Sequence, residues 1–153
     1  MDYNTLIFIH IASVILLLGV GGGSAFYKFM ADKSRDLTVI MHTNKMIVLA
    51  DWLFTTPSAI VQPVTGILLM NLTGISWNTP WLLTSLILYI FAGLLWLVAV
   101  YLQIKMRNLA IEAHSQNRFV GKEYFILVNY WIWLGVFSFL AMGAVFYLMI
   151  FKL

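Results

Sequence analysis

Cysteine is absent from this chain of 153 residues. That excludes disulfides, thiolate metal sites, iron–sulfur clusters and c-type haem attachment. Histidine, methionine, carboxylates and neutral oxygens are the only ligands left for a metal or cofactor. Charge is scarce as well: 10% of the residues are charged and 62% are hydrophobic, where a soluble domain carries about a quarter charged residues. With a mean hydropathy of +0.92, the chain reads as an integral membrane protein made almost wholly of its spanning segments, one domain over residues 1–153. The net charge of +3 does not point to nucleic acid, because the basic residues gather at segment edges, where they report topology. No basic region precedes the first apolar run, which is also too long for a signal core, so it reads as a retained helix.

Four apolar segments stand out, at about residues 5–30, 46–72, 81–106 and 124–151. Each is long enough to cross the roughly 30 Å of a bilayer core as a helix. Pro57 and Pro63 interrupt the second and predict a kink there. The uncharged connection Thr73 to Pro80 contains Gly74 and the helix-starting pair Pro80-Trp81. The stretches Lys28 to Lys45 and Lys105 to Glu123 read as hydrophilic loops, and together they hold eight of the nine Lys and Arg residues. The positive-inside rule therefore puts both loops in the cytoplasm and both termini outside. Trp52, Trp77, Trp81 and Trp131 are expected as interfacial anchors. The expected fold is all-α: an antiparallel four-helix transmembrane bundle.

His10 is the only ionisable group between Leu6 and Tyr27. A histidine at that depth is costly and is expected to face the bundle interior. Helical spacing places Ser13, Leu17, Gly21 and Ser24 on its face, and Ile7, Ile11, Ile15 and Leu18 on the lipid side. The second segment shows a polar face of Asp51, Thr55, Ser58, Gln62 and Thr65. The third offers Ser85, Tyr89, Ala92, Trp96, Ala99 and Gln103; the fourth offers Asn129, Trp133, Val136, Leu140, Gly143 and Tyr147. Such faces serve packing and interhelical hydrogen bonds before anything else. By depth, His10 should meet Thr65, Gly66 and Met70, then Ser85, then Met142 and Gly143. His42 and His114 read as solvated residues at the cytoplasmic side. Asp51, near the inner boundary, has two readings. One is a structural pairing with Lys28, Lys105 or Asn129; the other is a point where protons enter or a cofactor propionate lies.

Gly19, Gly21, Gly22 and Gly23 superficially resemble a phosphate loop, but no strand precedes them and they lie within a spanning segment. Nucleotide binding is excluded, and close packing or a flat cofactor against the backbone explains them better. The sequon Asn71-Leu72-Thr73 is short enough to arise by chance.

The run Phe8-Ile9-His10-Ile11, the block Asp51-Trp52-Leu53-Phe54-Thr55-Thr56-Pro57, then Gln62-Pro63-Val64-Thr65-Gly66 and Pro80-Trp81-Leu82 through Tyr89 resemble an uncharacterised bacterial family of small four-helix inner-membrane proteins. That resemblance covers essentially the whole chain and implies a multi-pass protein of the bacterial inner membrane, with no activity attached. A more distant resemblance is to the HemJ-type protoporphyrinogen oxidases, which share a first-helix histidine, a Thr-Pro in the second helix and a Trp-Leu opening the third. It implies a b-type haem with His10 as axial ligand. That family also has a lysine four residues after the third-helix tryptophan, where this chain has Ser85.

On that basis the chain is expected to be a small haem b protein for electron transfer, or a haem-dependent oxidoreductase, with a quinone or a redox protein as electron partner. Gly21, Thr65, Gly66, Ser85 and Gly143 would border the cofactor. His10 would bind the iron, with Met70, Met142 or no residue opposite, or with the His10 of a second subunit. Asp51, Gln62 and Asn129 complete the polar interior. A non-enzymatic scaffold within a homo-oligomer or larger membrane complex is the alternative, and a metal or small-molecule transporter ranks last. In every case the lipid bilayer is the first partner.

Overall fold

The computed structural model of the protein describes residues 2–152, so the ends of the expected 1–153 domain, residues 1 and 153, lie outside the described residues. It contains four long helices: α1 (Tyr3–Ser34), α2 (Leu37–Thr73), α3 (Pro80–Ser115) and α4 (Lys122–Phe151). All four are long and apolar enough to cross a membrane. At helical rise they measure about 45–55 Å, well beyond a hydrocarbon core of roughly 30 Å. The excess lies at one end.

At that end the two expected hydrophilic loops are mostly helix. Lys28 to Ser34 continues α1, and α2 has already begun at Leu37. Only Arg35, in the left-handed region at φ 56°, and Asp36 make the turn. Asp36 caps α2, its carboxylate accepting from the Thr38 and Val39 amides at 2.8 and 3.2 Å, which satisfies two of the orphan donors of a helix start. Likewise α3 runs on to Ser115. Polar residues concealed an amphipathic pattern: Ile40, Met41, Met106, Ala110, Ala113 and Tyr124 are buried together there as a core. At the other end Gly74, with φ 69°, closes α2, and Pro80 opens α3, as helix punctuation predicts.

Where a kink was expected, the helix carries a π-helical turn, Asp51–Thr55, in which the Thr56 amide donates to the Asp51 carbonyl. It ends two residues before Pro57, which can neither donate to the Leu53 carbonyl nor pack closely against it. Widening the turn is one way to accommodate such a ring. Pro63 sits inside the helix and deprives the Ala59 carbonyl of its donor. The Tyr89 hydroxyl of α3 supplies the replacement, donating to Ala59 O at 2.6 Å.

A second polar tie holds the extended end. Lys28, expected in a loop, is only 2% exposed. Its Nζ donates to Asp32 Oδ2 (3.1 Å), Asn44 Oδ1 (3.3 Å) and Tyr124 Oη (2.7 Å). Tyr124 Oη donates to Asp32 Oδ1 (2.7 Å) and accepts from Asn44 Nδ2 (2.8 Å). Three helices are joined with every polar atom of the cluster engaged, the condition under which a buried charge is tolerated. Trp131, expected as an interfacial anchor, is instead buried in the adjoining core, whereas Trp52 and Trp77 are exposed.

Candidate functional site

The polar faces of α2 and α3 point inward. Asp51, Thr55, Ser58, Gln62 and Thr65 are all buried, as are Ser85, Ala92, Ala99 and Gln103. The expected face of α4 does not. Asn129, Trp133, Leu140, Gly143 and Tyr147 are exposed, while Tyr124, Leu127, Trp131, Met142 and Val145 are buried. Nearly every residue of α4 is apolar, so hydropathy contrast could not mark its inner face, and Asn129, as its one amide, pointed the wrong way. Gly143 is thereby removed from the interior.

Two polar clusters result, one towards each end. In the one nearer the α2–α3 connection His10 meets α2. Its Nδ1 lies 2.8 Å from Thr65 Oγ1 and its Nε2 lies 3.1 Å from Gln62 Nε2. With the Gln62 amide so oriented, its N–H donates to His10 Nε2, and the ring proton on Nδ1 goes to Thr65. The Thr65 hydroxyl donates to Val61 O at 2.7 Å, and Ser13 donates to Gln62 Oε1. A Cβ at Gly66 would stand 3.5 Å from His10 Cε1, so α1 and α2 pack closely around the ring. Depth predicts the meeting of His10 with Thr65 and Gly66; Gln62 is predicted only on the polar face of α2, and the structure adds it to the ring.

As arranged, this cluster does not fit an axial haem ligand, because both imidazole nitrogens already have protein partners. Met70 is buried further along α2, and Met142 lines a separate cavity. Among the described residues no group of three or more His, Asp or Glu side chains is placed to hold a metal ion.

The other cluster is not one that the sequence pattern assembles. A cavity of about 520 Å³ lies between the four helices, within the usual range for small-molecule sites. Gly21 and Gly22 of α1, Gly93 of α3 and Gly135 of α4 border it, together with Leu18, expected on the lipid side. Among its bordering residues are Asp51 and Thr55 from the π turn, with Trp96 and Gln103 from α3. Thr55 Oγ1 donates to Asp51 Oδ1 at 2.9 Å. Neither Lys28 nor Lys105 takes the Asp51 carboxylate. The first is committed to the Tyr124 cluster, the second pairs with Glu123 at 2.9 Å, and Asn129 faces outward. The Gln103 and Trp96 side chains flank the carboxyl, yet Asp51 Oδ2, Trp96 Nε1 and Gln103 Oε1 are buried without a hydrogen-bond partner. Asp51 and Gln103 are 5% and 6% exposed. Each such group costs about 1–3 kcal/mol of desolvation. Three of them bordering one cavity, beside a π turn of the sort frequent at functional sites, make this the stronger candidate. The signal available in the sequence was Trp96 and Gln103, two turns apart on one face at the depth of Asp51.

A family model described as "Predicted integral membrane protein (DUF2269)" matches residues 4–153. The chain belongs to that family. No curated protein and no solved structure matches it. Family membership agrees with the four spanning helices and carries no activity, so the functional reading rests on the two clusters.

Proposed function

We propose that this protein binds a lipid-soluble small molecule inside its transmembrane bundle, with the polar end of the ligand at Asp51, Trp96 and Gln103. One observation carries the reading: three unpartnered polar atoms from two helices border the same cavity. Buried polar atoms are ordinarily paired, by protein, water or ligand, and a mostly apolar pocket with a few polar groups is the usual form of a ligand site. Under the positive-inside rule the polar end faces the cytoplasmic half of a bacterial inner membrane, with both termini periplasmic. The test is mass spectrometry of organic extracts from the purified protein. A small molecule enriched over the bulk membrane, and depleted in a Gln103→Leu variant of unchanged unfolding midpoint, supports binding. Extracts identical in composition to the bulk membrane contradict it.

A second reading, a b-type haem on His10, has one observation in its favour. The Nδ1 contact with Thr65 is the kind of second bond that orients a metal-bound imidazole. It requires the Gln62 amide to leave Nε2. Oxidised and dithionite-reduced absorption spectra decide it: a sharp reduced α band lost in His10→Ala supports a haem, and featureless spectra after haem supplementation end that reading.

A further inference from the structure

Most serines, threonines and amides away from the helix ends are buried: Ser13 and Ser24 of α1, the polar face of α2, Ser85 and Gln103 of α3. Thr84 is exposed but satisfies itself on its own helix, donating to Pro80 O at 2.9 Å. Asn129 of α4 departs from both patterns. It is exposed, and among the described residues its amide has no hydrogen-bond partner. Hydrocarbon offers none either.

The residues that continue its face, Trp133, Val136, Leu140, Gly143 and Tyr147, are exposed too, on the side of α4 opposite the buried Trp131 and Val145. This stripe is centred between Glu123 and Lys152, the charges that flank the segment. At helical rise it covers about 27 Å, close to the roughly 30 Å of a hydrocarbon core. Asn129 therefore lies just inside the inner edge. Any helix face repeats in this way, so the content is what distinguishes the stripe. The lipid face of α3, with Leu83, Ile87, Ile90, Leu94 and Leu97, is wholly aliphatic. That of α4 carries an amide near one end and Gly143 near the other. A Cβ at Gly143 would meet nothing within 4 Å, so the packing of one chain does not require this glycine. Small residues do let a second backbone come close.

Every copy of the chain has the same orientation in the membrane. Two α4 helices can therefore meet in parallel about a two-fold axis along the bilayer normal, each seam residue facing its own counterpart. The stripe contains no charge to repel a second copy. An amide is complementary to itself across such an axis, since each Nδ2 donor reaches the other Oδ1 acceptor. We propose that α4 is a homodimerisation surface, with Asn129 bonded to the partner's Asn129 and the two backbones closest at Gly143. The two rows of the stripe, 129-136-143 and 133-140-147, make the seam of a left-handed helix pair. Val136 and Leu140 also border the cavity; pairing through α4 holds whether or not the cavity is filled.

Because the chain has no cysteine, single cysteines introduced into the full protein report the contact. Gly143→Cys and Tyr147→Cys lie on the stripe, and Phe146→Cys is exposed at the same depth on another side of α4. Each variant is reconstituted at several protein densities in phosphatidylcholine liposomes, which supply no other protein and no anionic lipid, and oxidised with copper phenanthroline. The expected covalent-dimer yield is about fivefold higher at the two stripe positions than at Phe146, and it persists on dilution. In the Gly143→Cys background Asn129→Leu should lower the yield about fivefold, whereas Asn129→Gln, which keeps an amide, should retain most of it. Gly143→Phe should abolish cross-linking through Tyr147→Cys. Neither the Asn129 amide nor a Cβ at Gly143 meets the rest of the chain, so the unfolding midpoints of these variants in detergent should not move. Equal yields at all three positions, yields that vanish on dilution, or a Gly143→Cys yield indifferent to Asn129→Leu overturns the pairing. Cross-links from Gly143→Cys to a different protein in native membranes, with none in liposomes, also overturns it and gives this face to another partner.

Discussion

The Tyr89 hydroxyl donates to the Ala59 carbonyl at 2.6 Å, and Ala59 carries the carbonyl that Pro63 leaves without its helical donor. One proline thus explains one interhelical bond. Tyr89→Phe should lower stability in detergent by about 1 kcal/mol. In a Pro63→Ala background the backbone donor returns and the same substitution should cost measurably less. An equal cost in both backgrounds would contradict the coupling.

The Lys28 cluster gives a larger effect. Lys28→Met removes the cation while Asp32 stays largely buried, and breaking such a pair costs about 3–5 kcal/mol. Lys105, whose partner Glu123 is exposed like itself, is the control: Lys105→Ala should leave the unfolding midpoint unchanged. Comparable losses for both variants would show that Lys28 is no more buried than a surface residue.

His10→Ala tests whether the two clusters are separate. Losing its bonds to Thr65 and Gln62 should destabilise the protein by about 1–3 kcal/mol. Since His10 does not border the cavity, a small molecule enriched in wild-type extracts should remain in the variant. Its disappearance from a folded His10→Ala protein would join the two sites and contradict their independence.

Topology is accessible because the chain has no cysteine of its own. Ser76→Cys, between α2 and α3, should react with an impermeant maleimide added to intact spheroplasts. Asn117→Cys, between α3 and α4, should react only after lysis. The reverse pattern would turn the molecule over, against the distribution of its basic residues.

How much of this was legible in the sequence follows from where polarity contrasts with its surroundings. Asp51, Thr55, Ser58, Gln62 and Thr65 repeat at helical spacing in an apolar segment, and their inward face was readable without coordinates. So was the meeting of His10 with Thr65. In α4 the contrast vanishes, and only packing reveals the inner face. Lys28 looked solvent-facing by charge, because its partners Asn44 and Tyr124 lie 16 and 96 residues away in sequence. The Asp51 site was missed for a related reason. Its expected partners were Lys28, Lys105 and Asn129, whereas its neighbours are an indole and an amide brought alongside by α3.

The most direct measurement is a native mass spectrum of the protein after exhaustive delipidation. A ligand held at Asp51, Trp96 and Gln103 predicts a one-to-one small-molecule adduct that survives removal of the surrounding lipid and is lost in Gln103→Leu and in Gly21→Phe. Bare protein throughout, or an adduct indifferent to both substitutions, would contradict it.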